Sequence, residues 1–253
     1  MEITQINDVT IRYSCEGQGQ DVILLHGWGQ NIEMMDPIGN HLKDRFRVFI
    51  IDFPGFGESS QPPVAWGVED YSEFLRAFVV NNDIKCPILI GHSFGCRVAI
   101  HYASKYEVKK MVLTGAAGLK PKHSFDYYVR IYTFKTLKKL TNFGPLKKYQ
   151  VKVANYFGSS DYKNTDGVMR QTFVKVVNDD VKDLIPHISI PVLLIFGEKD
   201  DATPLWMGKY MEEHFPDAGL VVFEGASHYA YLEQLPRFLT ILEAFLKNEV
   251  VSE

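Results

Sequence analysis

Short, almost wholly apolar runs bounded by turn residues recur along the chain, with stretches of helical spacing between them. Val9–Tyr13 alternates like an early strand, whereas Asp21–His26, Arg47–Asp52, Cys86–Gly91 and Lys110–Thr114 are apolar along most of their length. Strands of that second kind are buried on both faces, as a parallel sheet covered by helices requires. Val68–Asn81 sets Tyr71, Phe74, Leu75, Phe78 and Val79 at helical spacing, and Cys96–Tyr106 reads as a further helix. The rhythm resumes later, with strands at Pro191–Phe196 and Leu220–Phe223 and helices at Pro204–His214 and Leu232–Leu246. Alternation of this kind predicts an α/β fold of parallel β-α-β units.

Residues 119–188 break the rhythm: they hold no clear core strand and are rich in Lys, Tyr and Phe. Phe125, Tyr128, Val129 and Tyr132 follow an i, i+3, i+4, i+7 pattern, and Asn142-Phe-Gly-Pro145 interrupts any helix there. The expectation is a helical cap, or lid, at 119–188, inserted into a core formed by 1–118 and 189–253. Part of its aromatic stripe packs onto that core.

Composition narrows the class. With 253 residues, 46% of them hydrophobic, the chain can bury one sizeable core. Cys15, Cys86 and Cys96 are odd in number and stand in no C-x-x-C spacing, which argues against a disulfide framework and against a zinc site. A reducing compartment suits them. The first residues lack a charged leader followed by an apolar core, and no uncharged stretch approaches the roughly 20 apolar residues of a membrane span. A cytoplasmic protein without membrane contact is expected. The net charge of −4 carries no nucleic-acid signature, but it is unevenly spread. Residues 119–186 hold 13 Lys and Arg against 6 Asp and Glu, a balance of +7, which leaves the remainder at −11. A solvated surface accounts for such a segment most simply; a basic rim that attracts an anionic substrate or partner is the other reading.

Gly91-His-Ser-Phe-Gly95 lies directly after an apolar strand and before a helix. In that context a G-x-S-x-G sequence forms a strained strand-to-helix turn that holds the Ser93 hydroxyl clear of the sheet, and glycines flank it because side chains there would meet backbone. A hydroxyl is a poor nucleophile without a base, and the base needs a carboxylate to orient it. On such a turn the chain order is Ser, then Asp or Glu, then His. Gly197-Glu-Lys-Asp-Asp201 and Gly225-Ala-Ser-His-Tyr229 each follow a late strand, so Asp200 and His228 are the expected acid and base; Glu198 and Asp201 compete for the first role. His41, His101, His123, His187 and His214 read as surface or satisfied core residues. An oxyanion formed on attack needs preorganised N–H donors. The backbone amides of Phe94, next to the nucleophile, and of Trp28, in the glycine-flanked His26-Gly-Trp-Gly29 loop, are the candidates. His26, Gly27, Tyr128, Tyr132 and Tyr229 are expected to contact substrate.

With these residues in place, the chain resembles the α/β-hydrolase superfamily over essentially its whole length. The resemblance is carried by His26-Gly-Trp-Gly29, Asp52-Phe-Pro-Gly-Phe-Gly-Glu-Ser59, Gly91-His-Ser-Phe-Gly95, Gly197-Glu-Lys-Asp200 with Pro204, and Gly225-Ala-Ser-His228, in family order. It implies a mostly parallel eight-stranded sheet, with the cap inserted after the sixth strand and a structural role for 52–59. The loop and the overall size are similar to small carboxylesterases, including those that demethylate pimeloyl esters on an acidic carrier protein; Cys96 stands where a further glycine is common.

Fold membership leaves the reaction open. The first expectation is a serine esterase that cleaves a small to medium carboxylic ester, an anionic or carrier-linked ester among the candidates, through an acyl-enzyme. A thioesterase, lactonase or C–C bond hydrolase with the same three residues is the alternative, and a non-catalytic ligand-binding protein the minor one. No cofactor, metal or nucleic acid is implied, and either a monomer or a homodimer is compatible with the sequence.

Overall fold

The chain's computed structural model describes residues 1–120, 133, 136 and 165–249. Eight strands form one sheet in the order β1-β2-β4-β3-β5-β6-β7-β8. They are β1 (Glu2–Ile6), β2 (Val9–Glu16), β3 (Gln20–Leu25), β4 (Phe46–Ile51), β5 (Ile88–His92), β6 (Lys110–Thr114), β7 (Val192–Gly197) and β8 (Ala218–Phe223). The first two pair antiparallel and β2 runs antiparallel to β4; every other pairing is parallel. Because β3, β5, β6, β7 and β8 run the same way, the loops after Leu25, His92, Thr114, Gly197 and Phe223 emerge at one edge. Such an edge is where open α/β sheets gather their binding groups.

The apolar runs divide their side chains between two cores, one on each face. Ile23, Leu25, Leu89, Met111, Leu113 and Leu194 pack against α2 (Val68–Asn81) and α3 (Phe94–Ala103), where Tyr71, Phe74, Phe78 and Val98 are buried. Val22, Leu24, Ile88, Ile90, Val112 and Ile195 face the other way, onto α1 (Asp36–Leu42) and the C-terminal helix with Phe238, Leu242 and Leu246. Each such side chain, fully buried, contributes about 1.5–3 kcal/mol, so the sheet is a rigid platform for the loops at its edge. The remaining described α-helices are α4 (Gly167–Val177), α5 (Leu205–His214), α6 (Ala230–Glu233) and α7 (Leu235–Leu246). None of the described helices is long and apolar enough to cross a membrane.

Three features depart from the sequence reading. β1 was not expected; only its Ile6 is buried, and Ile3 is 74% exposed, so an edge strand of this kind carries little apolar signal. The helix α1 was also not expected, being seven residues long with a proline in its first turn. The closing helix expected at 232–246 is two helices. The chain leaves helical geometry at Gln234 (φ −124°, ψ 46°), and Pro236, which has no N–H to donate, occupies the first turn of α7. Within 119–188, α4 is helical, and Val181, Ile185 and Ile188 at the segment's end pack into the first core.

Candidate active site

The turn between β5 and α3 is fixed by steric exclusion. Ser93 adopts φ 50°, ψ −105°, a left-handed backbone that costs a residue other than glycine about 1–3 kcal/mol. A Cβ on Gly91 would stand 2.9 Å from the Cys96 nitrogen, and one on Gly95 would stand 2.2 Å from the Leu25 carbonyl oxygen. Both neighbours are backbone, so neither can move aside. The Ser93 N–H donates to the Thr114 carbonyl at 3.1 Å, which ties the strained residue to the end of β6.

Asp200 is held differently, by a full complement of donors. Its Oδ1 accepts from the backbone N–H groups of Ala202 (2.9 Å) and Thr203 (2.8 Å). Its Oδ2 accepts from the Thr203 hydroxyl at 2.6 Å and from His228 Nδ1 at 2.8 Å. Burial alone would raise its pKa, but the bonds from His228 and Thr203 outweigh that and hold it below the ordinary carboxylate value. The two competing acids lie elsewhere: Glu198 accepts from the Gly225 amide at 2.9 Å, and Asp201 is exposed.

Glycines also let the histidine loop approach. A Cβ on Gly197 would stand 2.1 Å from the Ser227 carbonyl oxygen, and one on Gly115 would stand 3.2 Å from His228 Nδ1. Since Nδ1–H is committed to Asp200, the ring presents Nε2 as its acceptor. His228 and Ser93 line the same cavity, of about 620 Å³, together with Gly27, Trp28, Phe94, Arg97, Phe173, Val176, Thr203 and Tyr229. Ser93 Oγ makes no hydrogen bond among the described residues; contacts of this kind are commonly loose in ligand-free proteins and tighten with substrate. The backbone N–H groups of Trp28 and Phe94 donate to no acceptor among the described residues. The Trp28 ring packs edge-on against Phe56 and Phe94 and tilted against Phe173.

Of the residues expected to contact substrate, Gly27 and Tyr229 line this cavity. Tyr128 and Tyr132 lie outside the described residues. His26 is a correction, because it is wholly buried and does not line the cavity. Its Nδ1 donates to the Gly27 carbonyl at 2.7 Å and its Nε2 accepts the Phe53 N–H at 3.0 Å, so it joins the loop after β3 to the loop after β4. Burial pushes its pKa down to about 4 and keeps it neutral, as that pair of bonds requires. His92, inside the turn itself, is likewise buried and pushed down to about 3, by burial first and by His228 second. Its ring packs 4.8 Å from that of His228, as a neutral wall behind that imidazole.

Three contributors were not expected from sequence. Thr203 has a legible signal, a hydroxyl three residues after Asp200 on a turn. Arg97 has one too, a single helical turn beyond Ser93 on α3. Phe173 and Val176 supply the facing apolar wall from α4, whose place over the sheet edge no local pattern reveals. Among the described residues, no group of three or more His, Cys, Asp or Glu side chains gathers as metal ligands would.

A doubly wound sheet with a glycine-guarded serine turn at its carboxyl edge defines the α/β-hydrolase class. A family model described as the alpha/beta hydrolase family matches residues 22–239, and the chain belongs to that family. Among its relatives, a pimeloyl-(acyl-carrier protein) methyl ester esterase of Aliivibrio fischeri is 23% identical, with 94% of this chain and 98% of that protein covered. The AB hydrolase superfamily protein YisY of Bacillus subtilis is 24% identical over 94% of this chain and 95% of its own. Among solved structures, an esterase from Exiguobacterium antarcticum superposes with a TM-score of 0.75 at 22% identity, over 97% of this chain and 98% of the other.

Proposed function

We propose that the chain hydrolyses small to medium carboxylic esters through an acyl-enzyme, with Ser93 as nucleophile, His228 as base and Asp200 as the orienting acid. The observation that carries this reading is the 2.8 Å bond from His228 Nδ1 to Asp200 Oδ2, at the wall of the cavity that Ser93 also lines. His228 Nε2 takes the Ser93 proton as Oγ attacks the ester carbonyl, and the Trp28 and Phe94 amides receive the oxyanion. The imidazolium then protonates the departing alcohol. Water, deprotonated by the same nitrogen, releases the acid and frees Ser93. Asp200 stays ionised throughout, which fixes the tautomer and offsets the transient positive charge. The Aliivibrio relative, named as a methyl ester esterase, supports an ester over other acyl bonds.

On the same reading, residues 1–118 and 189–253 are the catalytic core, 119–188 is its cap, and Gly27 and Tyr229 contact the substrate. The test is hydrolysis of short p-nitrophenyl esters together with labelling by a fluorophosphonate probe. Ser93→Ala is expected to lose about 10⁴-fold or more in kcat/KM and to escape labelling. Full hydrolysis by that variant would end the assignment.

A further inference from the structure

The cavity wall carries a charge that ester hydrolysis does not require. Arg97 lines the cavity from the first turn of α3, four residues after Ser93, which lines it too. Its side chain is 11% exposed. It spans from α3 to the chain just beyond α4, where Nη1 donates to the Asp179 carbonyl at 2.9 Å. Burial is the largest influence on it and lowers its pKa, with Asp179 and Asp180 opposing.

Among the described residues, the compensation it receives is incomplete. The Asp179 carboxylate stands 3.9 Å away, beyond hydrogen-bond reach, and both of its oxygens are engaged by His101 Nε2 at 3.0 and 3.1 Å. A guanidinium carries several N–H donors in a planar fork, and among the described residues only one of these donors has an acceptor. A buried cation is costly unless carboxylates or other acceptors surround it. A tie between α3 and the chain after α4 would need one neutral donor, not a charged fork. Among the described residues that line the cavity, Arg97 is the only lysine or arginine, and no carboxylate joins it there.

We propose that Arg97 is a specificity-determining residue, whose guanidinium receives a carboxylate borne by the substrate, so that the cavity selects monoanionic esters over neutral ones. This rests on the ester-hydrolase reading. A carboxylate matches the planar fork through two parallel N–H bonds, and its single charge matches the single cation. The walls offered by Trp28, Ala117, Phe173, Val176 and Val177 suit the apolar chain between the carboxylate and the reacting carbonyl. The carboxylate sits in the acyl or the alcohol half of the substrate, and the two arms of the test separate these.

The test compares kcat/KM for matched pairs. One arm sets monomethyl esters of straight-chain dicarboxylic acids against methyl esters of the chain-matched monocarboxylic acids. The other sets acetyl esters of ω-hydroxy acids against acetyl esters of the matched alcohols. The wild type should favour the carboxylate-bearing member in one arm, and Arg97→Gln should lower that preference ratio by about 10- to 100-fold, as loss of a charge-assisted hydrogen-bond pair implies. Arg97→Lys, which keeps the charge and loses the fork, should fall between. The ratio is insensitive to a partly unfolded fraction, which lowers both rates alike. A ratio unchanged in Arg97→Gln, whatever the absolute rates, would overturn the proposal and leave Arg97 as a tie.

Should the wild type hydrolyse no ester in either arm, the proposed function fails but this inference is still read by calorimetry. Adipate should then bind the wild type at least about 10-fold more tightly than Arg97→Gln. Equal affinities would overturn it.

Discussion

Ser93 sits where backbone atoms leave its neighbours no room for a side chain, whereas Asp200 sits where four donors converge on two oxygens. The first arrangement works by exclusion: Gly91 and Gly95 are required because other residues would strike Cys96 and Leu25, and the strain at Ser93 is carried by the packed sheet beneath. The second works by attraction, with a loop folded around the charge it serves. Exclusion fixes position and fails abruptly, since two backbones cannot yield. Attraction fixes charge and hydrogen-bond direction, and it weakens in steps as donors are removed.

The sharpest break of the attractive side is Asp200→Asn. The amide oxygen would keep the bonds from the Ala202 and Thr203 amides, which turns the NH₂ toward Thr203 and His228. His228 must then accept at Nδ1 and carry its proton on Nε2, the tautomer unable to deprotonate Ser93. The expected outcome is a loss of about 10⁴-fold in kcat with the fold intact, measured by steady-state kinetics beside circular dichroism. Asp201→Asn, at the exposed competitor, should leave the rate within about 2-fold, since it alters no bond in the cluster. A comparable loss there would move the acid role one residue along.

On the excluding side, Gly95→Ala should fail as a stability change. Its Cβ would lie 2.2 Å from the Leu25 oxygen at the end of β3, and relief would require the sheet to part from α3. A loss of about 3 kcal/mol or more in unfolding free energy is expected from the midpoint of urea denaturation, and activity should fall with it. Gly29→Ala is the control. Gly29 has φ 71° but nothing within 4 Å of a built Cβ, so only the backbone term of about 1–2 kcal/mol applies. Equal losses at both glycines would mean that conformation, not contact, guards the turn.

The two arrangements were unequally legible in the sequence. The excluding turn is written locally, because Gly91-His-Ser-Phe-Gly95 after an apolar strand states both the crowding and its remedy. That the loops carrying Asp200 and His228 meet could be read, because parallel strands deliver their following loops to one edge. Orientation could not. His26 is expected at the substrate, yet its ring is buried and accepts the Phe53 N–H, a direction that spacing along the chain does not encode. Arg97 and Thr203 carry local signals, four residues after Ser93 and three after Asp200, but what each faces is set by chain distant in sequence or by a turn. In the strand-poor sheet margin, β1 buries too little to announce itself, and the apolar spacing that continues through Gln234 conceals the break before α7.

The smallest effect is the most direct probe of the attractive side. Thr203→Val removes one of the four donors to Asp200, the hydroxyl at 2.6 Å, and conserves volume. About 10-fold in kcat/KM and about 1.5–3 kcal/mol of stability at neutral pH should be lost, the range for one hydrogen bond to a charged group. The pH dependence identifies the cause. Asp200 titrates below its ordinary value of 3.8 in the folded protein, so its contribution to stability is present above that value and lost as pH falls through the folded pKa. Removing the Thr203 donor raises the folded pKa and shrinks that contribution. The stability difference between wild type and variant is therefore constant from neutral pH down to about 5 and narrows below about 4. The buried neutral His26 and His92, with folded pKa values of about 4 and about 3, make both proteins less stable as pH falls below 6.5, because only the unfolded chains take up those protons. That loss is common to both and cancels in the difference. A difference that stays undiminished on acidification would assign the hydroxyl to packing and deprive Asp200 of one of its donors.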